Sequence, residues 1–236
     1  MSFFKRKILI VGGSGFIGSH LNLRAQILDL KNGDDVRDGI KGKYDVIIFL
    51  AVDKGRTQKA YEYNYQLYQS LDRYMNVYPN TRVIYTSSAA VYPDSFDIQT
   101  EKDVPIPVNL YGRAKLLGES YVQQYRWHTI LRLSNVYGKG GTGAIDLFRN
   151  GGNKIYGDGS AVRDYVTVET VASVIEQAVF KRFRFLGITN VSTGVGRTTT
   201  EIWNLYGKGK TQNFAEREGD VRCSILSTDK LARLKW

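Results

Sequence analysis

The sequence predicts an α/β fold: a doubly wound parallel sheet with a small C-terminal lobe. Three observations carry this expectation. Short apolar runs rich in Ile and Val, without clean alternation, recur between longer helix-like stretches, as in a parallel sheet covered on both faces. The first run ends in a glycine-rich turn, Val11-Gly12-Gly13-Ser14-Gly15-Phe16-Ile17-Gly18. The last third, from Gly138 onward, is rich in glycine and in short loop-separated segments.

Bulk properties agree. The 236 residues suffice for one large domain with an appended lobe, and 42% apolar residues supply a core. The single cysteine, Cys223, has no partner for an internal disulfide, so a reducing, cytoplasmic setting is expected. The apolar run Ile8–Val11 is too short for a signal core or a membrane span and reads as a buried strand. The net charge of +10 comes from scattered Lys and Arg rather than one tract. It therefore points to an anionic small substrate and solvated surface, and not to nucleic acid.

Element by element, strands are expected at Lys7–Val11, Asp45–Ala51, Arg82–Ser87, His128–Leu133 and Ile188–Val191. Helices are expected at Gly15–Leu23, Gln58–Tyr78, Gly112–Gln124 and Thr167–Lys181. The β, α, β, α order yields a Rossmann-type domain over residues 1–137, with residues 138–236 mainly a substrate lobe and the chain returning to the first domain after 160.

Gly12, Gly13, Gly15 and Gly18 satisfy both G-x-G-x-x-G and G-x-x-G-x-x-G between a strand and a helix-like start. Such glycines allow a tight turn and close backbone approach to a pyrophosphate, with Phe16 and Ile17 opening the following segment. An acid about 20 residues on holds the adenosine ribose; Asp29 is a candidate, with Asp34 and Asp35 behind it, and Asp35-Val36 also suits the adenine edge. Little room separates Gly18 from Asp29 for a helix and a strand. NAD is preferred on this basis, with NADP possible.

Tyr111 and Lys115 lie four residues apart, on one face of a helix. A free phenol is a poor base at neutral pH; a neighbouring ammonium favours the phenolate. Tyr111 then exchanges a proton with a sugar hydroxyl during hydride transfer, and Lys115 also reaches the nicotinamide ribose. About twenty residues upstream, the apolar strand ends in Ser87-Ser88, and Ser88 is placed to share that proton.

On these residues the chain resembles the extended short-chain dehydrogenase/reductase family, in its nucleotide-sugar epimerase/dehydratase branch. Leu50-Ala51-Val52 is similar to that family's H-x-A-A strand end, with Phe49 in place of His, and Asn64 to the Asn of its long central helix. Asn109–Glu119 matches the catalytic helix, and Leu131–Gly138 the L-R-x-x-N-V-Y-G segment, which sets Asn135 against substrate. Tyr156–Val166 resembles the segment whose Arg, here Arg163, grips a diphosphate; Arg217-Glu-Gly-Asp220 resembles a later one whose Arg does likewise.

The resemblance implies catalysis by Ser88, Tyr111 and Lys115, a nucleotide-sugar substrate touching Ser87, Ser88, Asn135, Arg163 and Arg217, no metal, and a homodimer through paired helices. Dehydratases of this branch carry Asp-Glu where this chain has Ala89-Ala90, so a 4-epimerase of a UDP-sugar is expected. An NADPH-dependent keto-sugar reductase or epimerase-reductase is the alternative, and a catalytically silent dinucleotide-binding protein a further one. Relative to the family, the stretches after Gly18 and Gly138 are shortened.

Overall fold

The computed structural model of the chain describes residues 6–181 and 185–234. In chain order its elements are β1 (Ile8–Val11), β2 (Gln26–Leu28), β3 (Val46–Phe49), α1 (Gln58–Val77), β4 (Arg82–Ser88), α2 (Leu110–Gln123), β5 (His128–Leu133), β6 (Asn135–Tyr137), α3 (Ala144–Arg149), β7 (Lys154–Tyr156), β8 (Val162–Thr167), α4 (Val168–Phe180), β9 (Gly187–Val191), β10 (Gly196–Thr198), α5 (Thr199–Tyr206), β11 (Gln212–Phe214), β12 (Cys223–Ser224) and α6 (Asp229–Arg233).

Six of the strands form one parallel sheet in the order β2-β1-β3-β4-β5-β9. β1 and β3 are buried at every position, and successive side chains go to opposite faces. Ile8, Ile10, Val46, Ile48 and Ile84 meet Val171, Val174 and Ile175 of α4. Leu9, Val11, Ile47, Phe49 and Val83 meet Leu67, Leu71 and Met75 of α1 on the other side. This two-sided burial is why the strands read as continuous apolar runs.

The expected helix over Gly15–Leu23 does not form. Only one 3-10 turn, Gly18–His20, follows the glycines, and the next five residues run extended into β2. Reach explains this. To lie parallel to β1, β2 must start at the sheet's opposite end, about 13 Å away for a four-residue strand. A nine-residue helix would cover that length, about 13.5 Å, but on a layer about 10 Å off the sheet, and only Arg24 and Ala25, about 7 Å at full extension, would remain to bring the chain back into β2. Ile17, Leu21, Leu23 and Ala25 of this strap pack on the α4 side of the core, and the Asn22 amide donates to Glu176 Oε1 at 2.7 Å.

The short strand Gln26–Leu28 was not among the expected strands. It forms the sheet's edge, with Gln26 and Ile27 exposed. The chain passes from it to β3 through two 3-10 turns, Leu30–Asn32 and Val36–Asp38, with no strand of the sheet beyond β2 among the described residues.

Beyond β5, β8 pairs with β6, β10 and β12, and β7 with β11, around a cluster of Ile145, Phe148, Ile155, Ile202 and Trp203. The fully buried Asp164 carboxylate ties these strands to the end of β9, accepting from the amides of Thr193 and Gly194 and from the Thr193 hydroxyl.

Candidate active site

A cavity of about 580 Å³ opens at the C-terminal ends of β1, β3, β4 and β5. Ligands bind at this edge in open parallel sheets, because loops there diverge to either face.

The glycine turn forms one wall. Gly12 has φ +84°, and a Cβ there would stand 2.7 Å from the Ala51 amide nitrogen. A Cβ on Gly18 would lie 2.3 Å from the Gly13 carbonyl oxygen, so Gly13 and Gly18 close the turn on each other. Gly15, Phe16, Ile17 and Gly18 line the cavity together with Leu50 and Ala51. The Asp29 carboxylate accepts from the Ser14 amide at 2.9 Å and from the Lys31 amide at 3.0 Å, which places it against the turn. Asp35 and Val36 line the same end, with Asp35 paired to Arg37 at 2.5 Å and held below the usual carboxylate range by that guanidinium. Asn64 lies deeper; its amide brackets the backbone N–H and C=O of Asp53, each at 2.8 Å, and so fixes the loop after β3.

The opposite wall is built by α2. Asn109 caps its start, accepting from the Gly112 amide at 2.9 Å. A Cβ on Gly112 would be 2.0 Å from the Ala90 carbonyl oxygen, and one on Gly118 2.3 Å from the Tyr85 hydroxyl. These two glycines let α2 press against the end of β4 and the turn after Ser88, and they bring Tyr111 beside Ser88, whose hydroxyl favours the phenolate. Lys115 is buried, donates from Nζ to the Thr86 carbonyl at 2.8 Å and sits 5.0 Å from the Tyr85 ring centre. Ser87, beside Ser88, donates to Glu119 at 2.5 Å.

The electrostatics depart from expectation at the phenol. Burial raises the Tyr111 pKa above its ordinary value, and the lowering influence is the Ser88 hydroxyl rather than the ammonium. Lys115 itself falls to about 7, because burial disfavours its charge and Lys54 repels it, while Glu119 acts in the opposite sense. The pair thus stands as a neutral phenol beside an amine that titrates near neutrality.

The model of the NAD dependent epimerase/dehydratase family matches residues 22–184. The chain belongs to this family. Among relatives of this family member, a putative UDP-glucose 4-epimerase of Methanocaldococcus jannaschii is 29% identical, across 97% of this chain and 92% of that protein. The UDP-glucose 4-epimerase of Rhizobium meliloti is 28% identical across 97% and 91%. In three dimensions the chain is similar to Thermus thermophilus UDP-glucose 4-epimerase in complex with NAD, with a TM-score of 0.82 at 26% identity, covering 98% and 93% of the two chains. The archaeal alignment runs over 284 residues against 236 in this chain, so this family member lacks stretches that the relative has.

Of the substrate residues expected from sequence, Ser87, Ser88 and Asn135 line the cavity. Arg163 and Arg217 stand apart from its lining. Arg163 donates to the carbonyls of Val162 at 2.8 Å and Val221 at 2.5 Å. Arg217 pairs with Asp220 at 2.9 Å and stacks 4.3 Å from the Tyr156 ring centre. Asp220 also holds Arg56, at 2.6 Å, and Arg56 does line the cavity, as does Lys54. Neither was singled out from sequence. Their signal was position alone: both follow Ala51, at the C-terminal end of a parallel strand.

Among the described residues no helix is long and apolar enough to cross a membrane, and no group of three or more His, Cys, Asp or Glu is arranged to hold a metal ion.

Proposed function

We propose that the protein is an NAD-dependent nucleotide-sugar 4-epimerase that acts on a UDP-sugar through a transient 4-keto sugar. The observation that carries this reading is the junction of Ser88, Tyr111 and Lys115 with the glycine turn on one cavity, next to Ala89-Ala90. The names and coverage of the relatives add weight.

The residues present suit a dinucleotide. The turn approaches Ala51 so closely that only glycine fits at position 12, and Asp29 offers a carboxylate at the end of β2 where a ribose diol is held. When bound, NAD supplies a hydride acceptor for the outward step and the donor for the return. The protein's own groups manage the proton. Tyr111 takes it from the C4 hydroxyl and later returns it, Ser88 holds the phenol and the sugar oxygen in register, and a protonated Lys115 favours the phenolate. Ala89 and Ala90 have no side chain able to move a proton, so nothing at that turn serves the expulsion of water.

Incubation with UDP-glucose and UDP-galactose in the presence of NAD tests this. The expected result is interconversion of the two 4-epimers without net accumulation of reduced nicotinamide. Stoichiometric consumption of NADPH on a keto-sugar nucleotide, with no epimer exchange, would replace it with the reductase reading.

Asn135 and Arg56 face the substrate side of the cavity, with Arg217 sharing Asp220 behind Arg56. For Arg163 to grip a diphosphate, its guanidinium has to leave the carbonyls of Val162 and Val221. A homodimer through α1 and α2 is supported by the Tyr65 ring, 40% exposed and 6.4 Å from that of Tyr121. Sedimentation at twice the chain mass is the expected outcome; a monomer at micromolar concentration would remove it.

A further inference from the structure

We propose that Lys31 carries the cationic contact to the dinucleotide's diphosphate that a helix N-terminus supplies in a doubly wound fold. This rests on the dinucleotide-binding reading above.

In such folds the diphosphate lies at the start of a helix, where free backbone N–H groups and the aligned peptide dipoles favour negative charge. Here that helix is replaced by the three-residue turn Gly18–His20 and an extended strap. A single turn aligns too few peptides for a sizeable macrodipole. The glycines therefore keep their shape but lose most of the field that accompanies it.

A cation held against the glycine turn compensates. Lys31 follows Asp29 by two residues, lines the cavity, and reaches back so that Nζ donates to the Ser14 carbonyl at 3.0 Å. It pairs with no carboxylate among the described residues; both Asp29 oxygens take backbone amides instead. An ammonium has three donors, so two remain for a ligand held by the turn. The other cations lining the cavity stand elsewhere: Arg56 binds Asp220, Lys115 donates to the Thr86 carbonyl beneath Tyr111, and Lys54 disfavours the charge on Lys115. The shortened segment thus brings its own charge. The chain folds back from β2 at Leu30–Asn32, and this tight turn holds Lys31 over Ser14.

The test is equilibrium binding of NAD, ADP, adenosine and NADP to the wild type, Lys31→Met and Lys31→Arg, by calorimetry at low and high salt. Because Lys31 is exposed, both variants are expected to fold as the wild type does. Lys31→Met should weaken NAD and ADP about tenfold, the low end for a hydrogen bond between charged groups, and leave adenosine unchanged. The gap should narrow at high salt, where an exposed charge is screened, and Lys31→Arg should recover most of the affinity. Unchanged NAD and ADP binding would overturn the assignment, as would an equal loss for adenosine or a loss confined to NADP. If the wild type binds neither NAD nor ADP, the dinucleotide reading itself fails, and Lys31 with it.

Discussion

Tyr111→Phe is expected to lower turnover by at least about 100-fold while leaving the unfolding transition unchanged. The substitution removes one oxygen from a side chain whose ring remains in place. The lost atom is the one whose anion the neighbouring Ser88 favours and the one that carries the proton in the proposed reaction. The phenol is neutral near pH 7 and burial makes its anion costlier still, so the proposed reaction depends on groups that stabilise that anion at the moment of transfer. Lys115, titrating at about 7, supplies that charge only in its protonated form. Steady-state assays on a nucleotide sugar, paired with thermal unfolding of both proteins, measure the two halves of the statement. Turnover within a few-fold of wild type would remove Tyr111 from the chemistry.

Glu119→Ala is expected to cost about 3–5 kcal/mol of stability, the typical penalty for stripping one partner from a buried ion pair. Glu119 and Arg132 have side-chain exposures of 0% and 2% and meet at 2.7 Å. A second contact, Arg132 Nε to Glu119 Oε1, is 2.9 Å. Burial alone would lower the Arg132 pKa; the Glu119 carboxylate more than offsets that, so the guanidinium stays charged. Without the carboxylate that charge is left with the Tyr92 ring, 4.7 Å away, and the Ser87 hydroxyl loses its acceptor. Denaturant titration reads the loss as a lower midpoint at constant slope. A shift below about 1 kcal/mol, the range of an exposed pair, would mean that water reaches the site.

Much of the fold was legible because burial on both faces leaves a simple trace. β1, β3, β4, β5 and β9 stand where apolar runs predicted them, and α1, α2 and α4 differ from expectation by a residue or two at their ends. β2 was not legible, since an exposed three-residue edge carries neither an apolar run nor alternation. The helix after the glycines was misread for a different reason. Gly15–Leu23 has a helical pattern, but the distance the chain must cover to re-enter the sheet overrides it, a constraint visible only once the parallel register is known.

At the site, the spacing of Tyr111 and Lys115 and the position of Ser88 were readable because local geometry fixes them. The close approach that joins them depends on Gly112 and Gly118, whose meaning lies in what their missing Cβ atoms would strike on another element. Spacing also suggested that Lys115 lowers the Tyr111 pKa. Desolvation, which spacing does not encode, governs both groups.

The bare flank of β2 has a consequence for the protein's behaviour in concentrated solution. A sheet that ends in unpaired N–H and C=O groups invites a second chain to zipper on, the first step toward aggregation. Here the invitation is brief, at three residues, and charged residues flank it on both sides, Arg24 before it and Asp29 and Lys31 after it. Trimming the sheet on this side leaves an edge too short to offer a second chain more than a few hydrogen bonds, on a molecule whose net charge of +10 already opposes self-association.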